Sequence, residues 1–165
     1  MSNEGAIQFS HALELLNSSI KELSQIADSL IPENLIREGI VFYLTDFCTS
    51  LENDCGIKTS FVSEIEGFSF SEEIELMLYR NFKTMIGLVL KHVRCSELTI
   101  RLICKGNLLQ IIAQVTGEIT TPLSSNSLLN EETEQLKFNL SKVNGLFQIK
   151  PGKEKEYEFE IAFQI

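Results

Sequence analysis

Two histidines, four cysteines and an excess of carboxylates (Asp+Glu 23) are the residues from which chemistry would have to be built in this chain. A zinc site needs Cys or His in close pairs. Cys48, Cys55, Cys95 and Cys104 show no Cys-x-x-Cys spacing, and only His11 and His92 are present to complete a set. A disulfide framework does not suit a reducing cytosol, so the four read as half-buried thiols that behave as small hydrophobes. The acidic pairs Glu72-Glu73 and Glu131-Glu132 have the right type for acid–base work. Both fall at expected helix starts, where the macrodipole favours anions, and they read as solvated helix ends. The chain has no Gly-x-Ser-x-Gly, no His-Glu-x-x-His, no P-loop and no Gly-x-Gly-x-x-Gly. No self-contained catalytic set and no metal site follows.

The bulk properties set the class. At 18.7 kDa the chain has room for one domain, or one domain with a short helical appendage. With 44% apolar and 22% charged residues, 9 Gly and 3 Pro, collagen-like, low-complexity and disordered readings are excluded. A net charge of −9 speaks against nucleic-acid or anionic-membrane partners, which need a basic face. No apolar run approaches the roughly 18 residues of a membrane span. The opening Met1-Ser2-Asn3-Glu4-Gly5 lacks the basic start of a signal peptide, so a cytoplasmic location is expected.

Residues with chemistry need elements to hold them. Ala6, Phe9, Leu13, Leu16, Ile20, Leu23, Ala27 and Leu30 recur at spacings of three and four, a heptad seam that asks for partner helices. Ile7, Leu15 and Ile26 widen the stripe, which leaves open a helix packed on its own domain. Pro32 ends the pattern. A second helix follows Pro32-Glu33-Asn34, with Leu35, Ile36, Ile40, Tyr43, Leu44, Phe47 and Leu51 on one side. The spacing then predicts a strand over 57–65 and a long helix over about 71–93, opened by a capping box of Ser69 and Glu72. Strands near 98–104 and 108–115 flank the turn Lys105-Gly106-Asn107. A loop over 117–130, a helix near 131–143 and strands near 146–150 and 157–164 complete the order. The expected fold is α/β, a two-layer sandwich of mixed sheet and helices with an N-terminal helical extension. Residues 1–32 form the extension and 33–165 the domain.

Particular residues in this order carry a family likeness. Ile26-Ala27-Asp28-Ser29-Leu30-Ile31-Pro32-Glu33, then Gly39-Ile40 and Asp46-Phe47-Cys48, resembles the second dimerisation helix and following helix of sensor histidine kinases. Leu78-Tyr79-Arg80 with Lys91-His92 is similar to their Leu-Tyr-Arg…Lys-His segment, and Asn144-Gly145-Leu146-Phe147-Gln148-Ile149 to the motif that opens their last hairpin. The likeness runs from about Ala12 to Ile165. It implies the nucleotide-binding fold shared by histidine kinases, gyrase-type ATPases and Hsp90 chaperones.

Carried over residue by residue, the resemblance places the family's catalytic Glu on Thr84 and its Mg²⁺-holding Asn on Leu88. Its adenine-binding Asp-x-Gly falls on Val115-Thr116-Gly117, where only the glycine remains, and the next glycine position is Ile119. The phosphate-cradling Gly-x-Gly falls on Asn130-Glu131-Glu132, whose carboxylates repel a triphosphate, and the last box on Gly152-Lys153-Glu154-Lys155. Lys91 and Gly117 are then the vestige of a nucleotide site. The family's phosphoacceptor lies on a first dimerisation helix, and this sequence starts at the second. His11 is the one candidate phosphoacceptor; the family's second-helix histidine is Asp28, and His92 has a structural role.

The expectation is therefore a degenerate histidine-kinase-like module of a two-component system. It has lost ATP binding, holds no cofactor and acts through protein contacts, with a histidine kinase or response regulator as partner. It self-associates through residues 6–30, and its nucleotide pocket is closed by apolar and acidic side chains. Two alternatives stay open: an ATP- and Mg²⁺-binding kinase domain with divergent ligands, and a histidine phosphotransferase.

Overall fold

The computed structural model describes residues 31–65, 67–120 and 127–165 together with 15, 16 and 19, and gives backbone alone over 127–132. The chain divides into two units, Met1–Glu33 and Asn34–Ile165. Of the first, Leu15 and Leu16 are helical and 58% and 59% exposed. The rest of the predicted seam, with His11 and Asp28, lies outside the described residues.

From Glu33 onward the order is α1 (Glu33–Cys55), β1 (Lys58–Glu64), α2 (Glu72–His92), β2 (Val93–Lys105), β3 (Leu108–Ile119), α3 (Ser127–Ser141), β4 (Leu146–Pro151) and β5 (Glu156–Gln164). The five strands form one sheet in the order β1-β2-β3-β5-β4. β1 and β2 are parallel because the crossover between them is α2, and every other pairing is antiparallel. Helices cover one face. Ile40, Leu44, Cys48 and Leu51 of α1 and Leu78, Phe82, Met85 and Val89 of α2 close a core over the alternate strand residues Leu98, Ile100 and Leu102, Leu109, Ile111 and Ala113, and Phe159, Ile161 and Phe163. The two helices are keyed by edge-to-face aromatic pairs, Tyr43 on Tyr79 at 5.1 Å and Phe47 on Phe82 at 5.2 Å, a geometry that favours ring edge over ring face. This is the mixed-sheet, helix-backed sandwich that the sequence predicts.

Four local expectations are corrected. The N-cap of α2 is Ser71, not Ser69: its hydroxyl accepts from the Ile74 N–H at 3.4 Å, while Phe70 and Ile74 pack against the core and so set where the helix begins. β2 starts at Val93, directly after the helix. Val93 is extended (φ −121°, ψ 125°), and its N–H still closes the last helical turn on the Val89 carbonyl. β3 runs past Val115 to Ile119. α3 begins at Ser127, a turn before the predicted 131.

α1 is bent. Gly39 sits at φ 81°, ψ 177°, a conformation that glycine enters without steric cost, and it interrupts the helix. The Ile40 N–H beyond the break donates to Glu75 Oε1 of α2 at 3.3 Å. Asn34 Nδ2 donates to Asp46 Oδ2 at 3.1 Å. A straight helix would separate those residues by about 18 Å along its axis, so residues 33–38 fold back beside the second half of α1.

Candidate functional site

The residues to which the resemblance assigns chemistry lie in the C-terminal half of α2, at the end of β3, in α3 and in the β4–β5 turn. Leu88 is 3% exposed and Val115 2% exposed, and both belong to the hydrophobic core. An aliphatic side chain offers neither a ligand for a hard cation nor an acceptor for an amino group. Thr84 is exposed, and its hydroxyl donates to the Arg80 carbonyl at 3.0 Å, one turn back on its own helix. His92 is buried at 4% exposure, whereas Lys91 beside it is exposed. The His92 carbonyl accepts from both the N–H and the hydroxyl of Thr120, at 2.9 and 3.0 Å, which ties the end of β3 to the start of β2.

Gly117 has a structural explanation. It lies inside β3, opposite a register shift between Cys95 and Glu97 of β2, and its N–H donates to the Lys155 carbonyl at 2.9 Å. A Cβ there would stand 2.4 Å from the Arg94 carbonyl oxygen and 2.9 Å from Cys95 Cα. The bulge brings two backbones together, and only glycine leaves room. Ile119, at the next family glycine, pairs with Val93 and packs against the core.

Asn130, Glu131 and Glu132 lie in α3, which opens at Ser127. Only the first four N–H groups of a helix are free to meet an anion, so those of Glu131 and Glu132 are already committed within the helix. Gly152-Lys153-Glu154-Lys155 forms the β4–β5 turn, closed by the Gly152 N–H on the Glu156 carbonyl and the Glu156 N–H on the Lys153 carbonyl, both 2.8 Å.

Three of the four thiols are poorly nucleophilic, while Cys55 is exposed rather than half-buried as expected. Burial pushes Cys48 up to about 11, with the Glu52 charge adding to it, and burial also raises Cys95 and Cys104. At neutral pH all three stay protonated, and the thiolate is the reactive and metal-binding form. Among the described residues no group of three or more His, Cys, Asp and Glu could hold a metal, and no helix is long and apolar enough to cross a membrane.

Sequence reasoning missed a polar network on the sheet face opposite the helices. Glu160 of β5, 5% exposed, accepts from Gln110 of β3 at 2.6 Å and from Gln148 and Lys150 of β4. Burial pushes its carboxyl up, but the bonds from Lys150, Gln148 and Gln110 and the lysine charge outweigh it and hold the group below the usual range. A shallow trough of about 780 Å³ lies nearby, lined in part by Glu97, Thr99, Gln114, Lys150, Tyr157 and Glu158. Three of its charges are paired: Glu97 with Lys58 at 3.1 Å, and Lys150 with Glu158 at 3.2 Å. The signal was available in the alternation Glu156, Glu158, Glu160 along one strand, with Gln148 and Lys150 on the next.

No protein-family model matches the sequence, and no curated protein does. Solved structures do. The blue-light activated histidine kinase EL346 of Erythrobacter litoralis superposes with a TM-score of 0.58 at 12% identity, over 76% of this chain and 41% of that one. The catalytic domain of the histidine kinase ThkA gives 0.55 at 8% identity, over 77% and 90%. Full-length ShkA in complex with AMPPNP gives 0.57 at 15%, over 94% and 38%. The chain thus spans under half the length of two of these proteins and nearly all of an isolated catalytic domain. The second unit therefore has the α/β sandwich fold of histidine kinase catalytic domains, the fold that its residues resemble.

Proposed function

We propose that this chain is a histidine-kinase-like signalling module of a two-component system that has lost ATP binding and works through protein contacts. One observation carries the reading: Leu88 and Val115, at the positions of the family's metal ligand and adenine acceptor, are core residues at 3% and 2% exposure. The rest of the site agrees with it. Thr84 bonds its own helix, the Glu131 and Glu132 amides lie inside α3, and Gly117 is needed by the sheet. Lys91 and Gly117 are what remains of the nucleotide-binding set, and no cofactor is required. The partners are a histidine kinase or response regulator, and a second copy engaged through residues 6–30, in the cytoplasm.

Isothermal titration calorimetry with Mg-ATP, Mg-ADP and Mg-AMPPNP tests the reading. No binding is expected at concentrations up to the millimolar range. Saturable binding of any of the three at micromolar affinity overturns it.

A further inference from the structure

The two edges of the sheet differ. β4 at one edge ends on Pro151, which has no N–H to offer a neighbouring strand, and α3 packs against it. β1 at the other edge has β2 on one side and, among the described residues, no strand on the other. It holds an unbroken register with Glu97–Ile103 of β2 and contains no bulge, Pro or Gly, the devices that blunt an edge. Alternate backbone N–H and C=O groups of such a strand point away from the sheet, a template for a further strand. The one guard β1 carries is charge, and its two charges, Lys58 and Glu64, stand at opposite ends with opposite signs.

The two faces of β1 are sorted. Thr59 and Phe61 face the helices: the Thr59 hydroxyl donates to the Cys48 carbonyl of α1 at 2.7 Å, and Phe61 packs against the core. Lys58, Ser60, Val62 and Glu64 share the open face, where Val62 is 42% exposed. There Lys58 bonds Glu97 at 3.1 Å, the Ser60 and Thr99 hydroxyls bond each other at 2.9 Å, and Glu64 accepts from Arg101.

We propose that β1 is a self-pairing edge: two copies of the chain join β1 to β1, antiparallel about a two-fold axis at Phe61, and their sheets run into one another. The strand's own sequence names the occupant. In this register Lys58 meets the partner's Glu64, Thr59 meets the partner's Ser63, Ser60 meets the partner's Val62, and the Phe61 rings meet each other. The open face then carries a row of Glu97 and Lys58 from one copy followed by Glu64 and Arg101 from the other. Its signs alternate, and Lys58 and Glu64 each gain a second opposite charge while keeping their own. The row sums to zero, so the repulsion between two chains of net charge −9 is weakest here. Parallel pairing in register would set Lys58 on Lys58 and Glu64 on Glu64, and like charges placed opposite destabilise a sheet. The contact is isologous, as a closed dimer requires, and it lies in the second unit, apart from residues 6–30. Two such short strands bury less than about 1,200 Å², the class of weak contacts, so the pairing belongs to high local concentration.

Hydrogen exchange of the full chain, read by mass spectrometry over residues 58–64 at about 0.5 mM, tests the proposal. The natural sequence is compared with Lys58→Glu and Glu64→Lys, each alone and as an equal mixture. Each substitution breaks the same internal pair whether alone or mixed, so protection that returns only on mixing comes from contact between copies. Exchange over 58–64 should be at least threefold slower in the natural chain than in either variant alone. The mixture should recover most of that protection, because the two acidic ends of one variant meet the two basic ends of the other. Val62→Lys changes an exposed side chain, leaves both internal pairs in place and should lose the protection as well; circular dichroism melts confirm that each variant folds. A mixture that exchanges as the average of its components overturns the proposal, as does a natural chain no slower over 58–64 than Val62→Lys. Protection that rises with concentration over residues 6–30 but not over 58–64 also overturns it, and leaves self-association through the first segment standing.

Discussion

Leu88→Asn puts the side-chain type that the resemblance implies at a position where this chain has a core leucine, and the structure sets its cost. Leu88 is 3% exposed, so nearly its whole side chain is out of water. Losing that burial costs about 2–3 kcal/mol. Asparagine has a similar shape, so the cavity left is small, but its amide arrives among apolar neighbours with no designed partner, which adds about 1–3 kcal/mol. The sum is about 3–6 kcal/mol. With a urea dependence of about 2 kcal/mol per molar for a chain of this size, the unfolding midpoint should fall by about 2 M. Leu88→Met, which nearly conserves volume, should cost under about 1.5 kcal/mol and serves as the control. Equilibrium urea unfolding followed by circular dichroism reads both. A midpoint shift below about 0.5 M for Leu88→Asn would mean that position 88 faces water. The cleft would then be open, and the argument against nucleotide binding would lose its main support.

Two further outcomes follow from the same structure. Gly117→Ala places a methyl 2.4 Å from the Arg94 carbonyl oxygen, a backbone contact that no side-chain rotation relieves. It should destabilise by about 3 kcal/mol or more in the same urea assay, the upper end of overpacking, and a cost under about 1 kcal/mol would show that the bulge does not need glycine. Glu160 is held ionised by its partners, so its folded pKa lies below its unfolded one. The stabilisation from that difference is complete above the unfolded carboxylate pKa of about 4.3 and is lost as pH falls through the folded value. Glu160→Gln should therefore flatten the decline in stability below about pH 4.3 in thermal melts taken against pH, and an unchanged slope contradicts the network.

Periodic signals made much of the second unit legible before any fold was seen. The 3.6-residue recurrence from Ile74 to Val93 marks α2, and the alternation from Leu98 to Cys104 marks the inner face of β2, because each pattern records which side chains leave water. That Leu88 cannot ligate a metal was equally readable, since an aliphatic side chain has no donor atom. Other features depend on residues far apart in sequence. Ser71 rather than Ser69 caps α2 because Phe70 and Ile74 find the core. β3 continues through Gly117 because the Cys95 bulge on β2 comes to meet it. α1 bends at Gly39 because Glu75, 35 residues later than Ile40, is there to take its N–H. Glu160 is buried yet charged because three side chains from two neighbouring strands converge on it. The sequence by itself determined the elements and their order. Tertiary structure decided the caps, the bend, the bulge and the Glu160 network, because each is set by groups that become neighbours only when the sheet and helices close on one another.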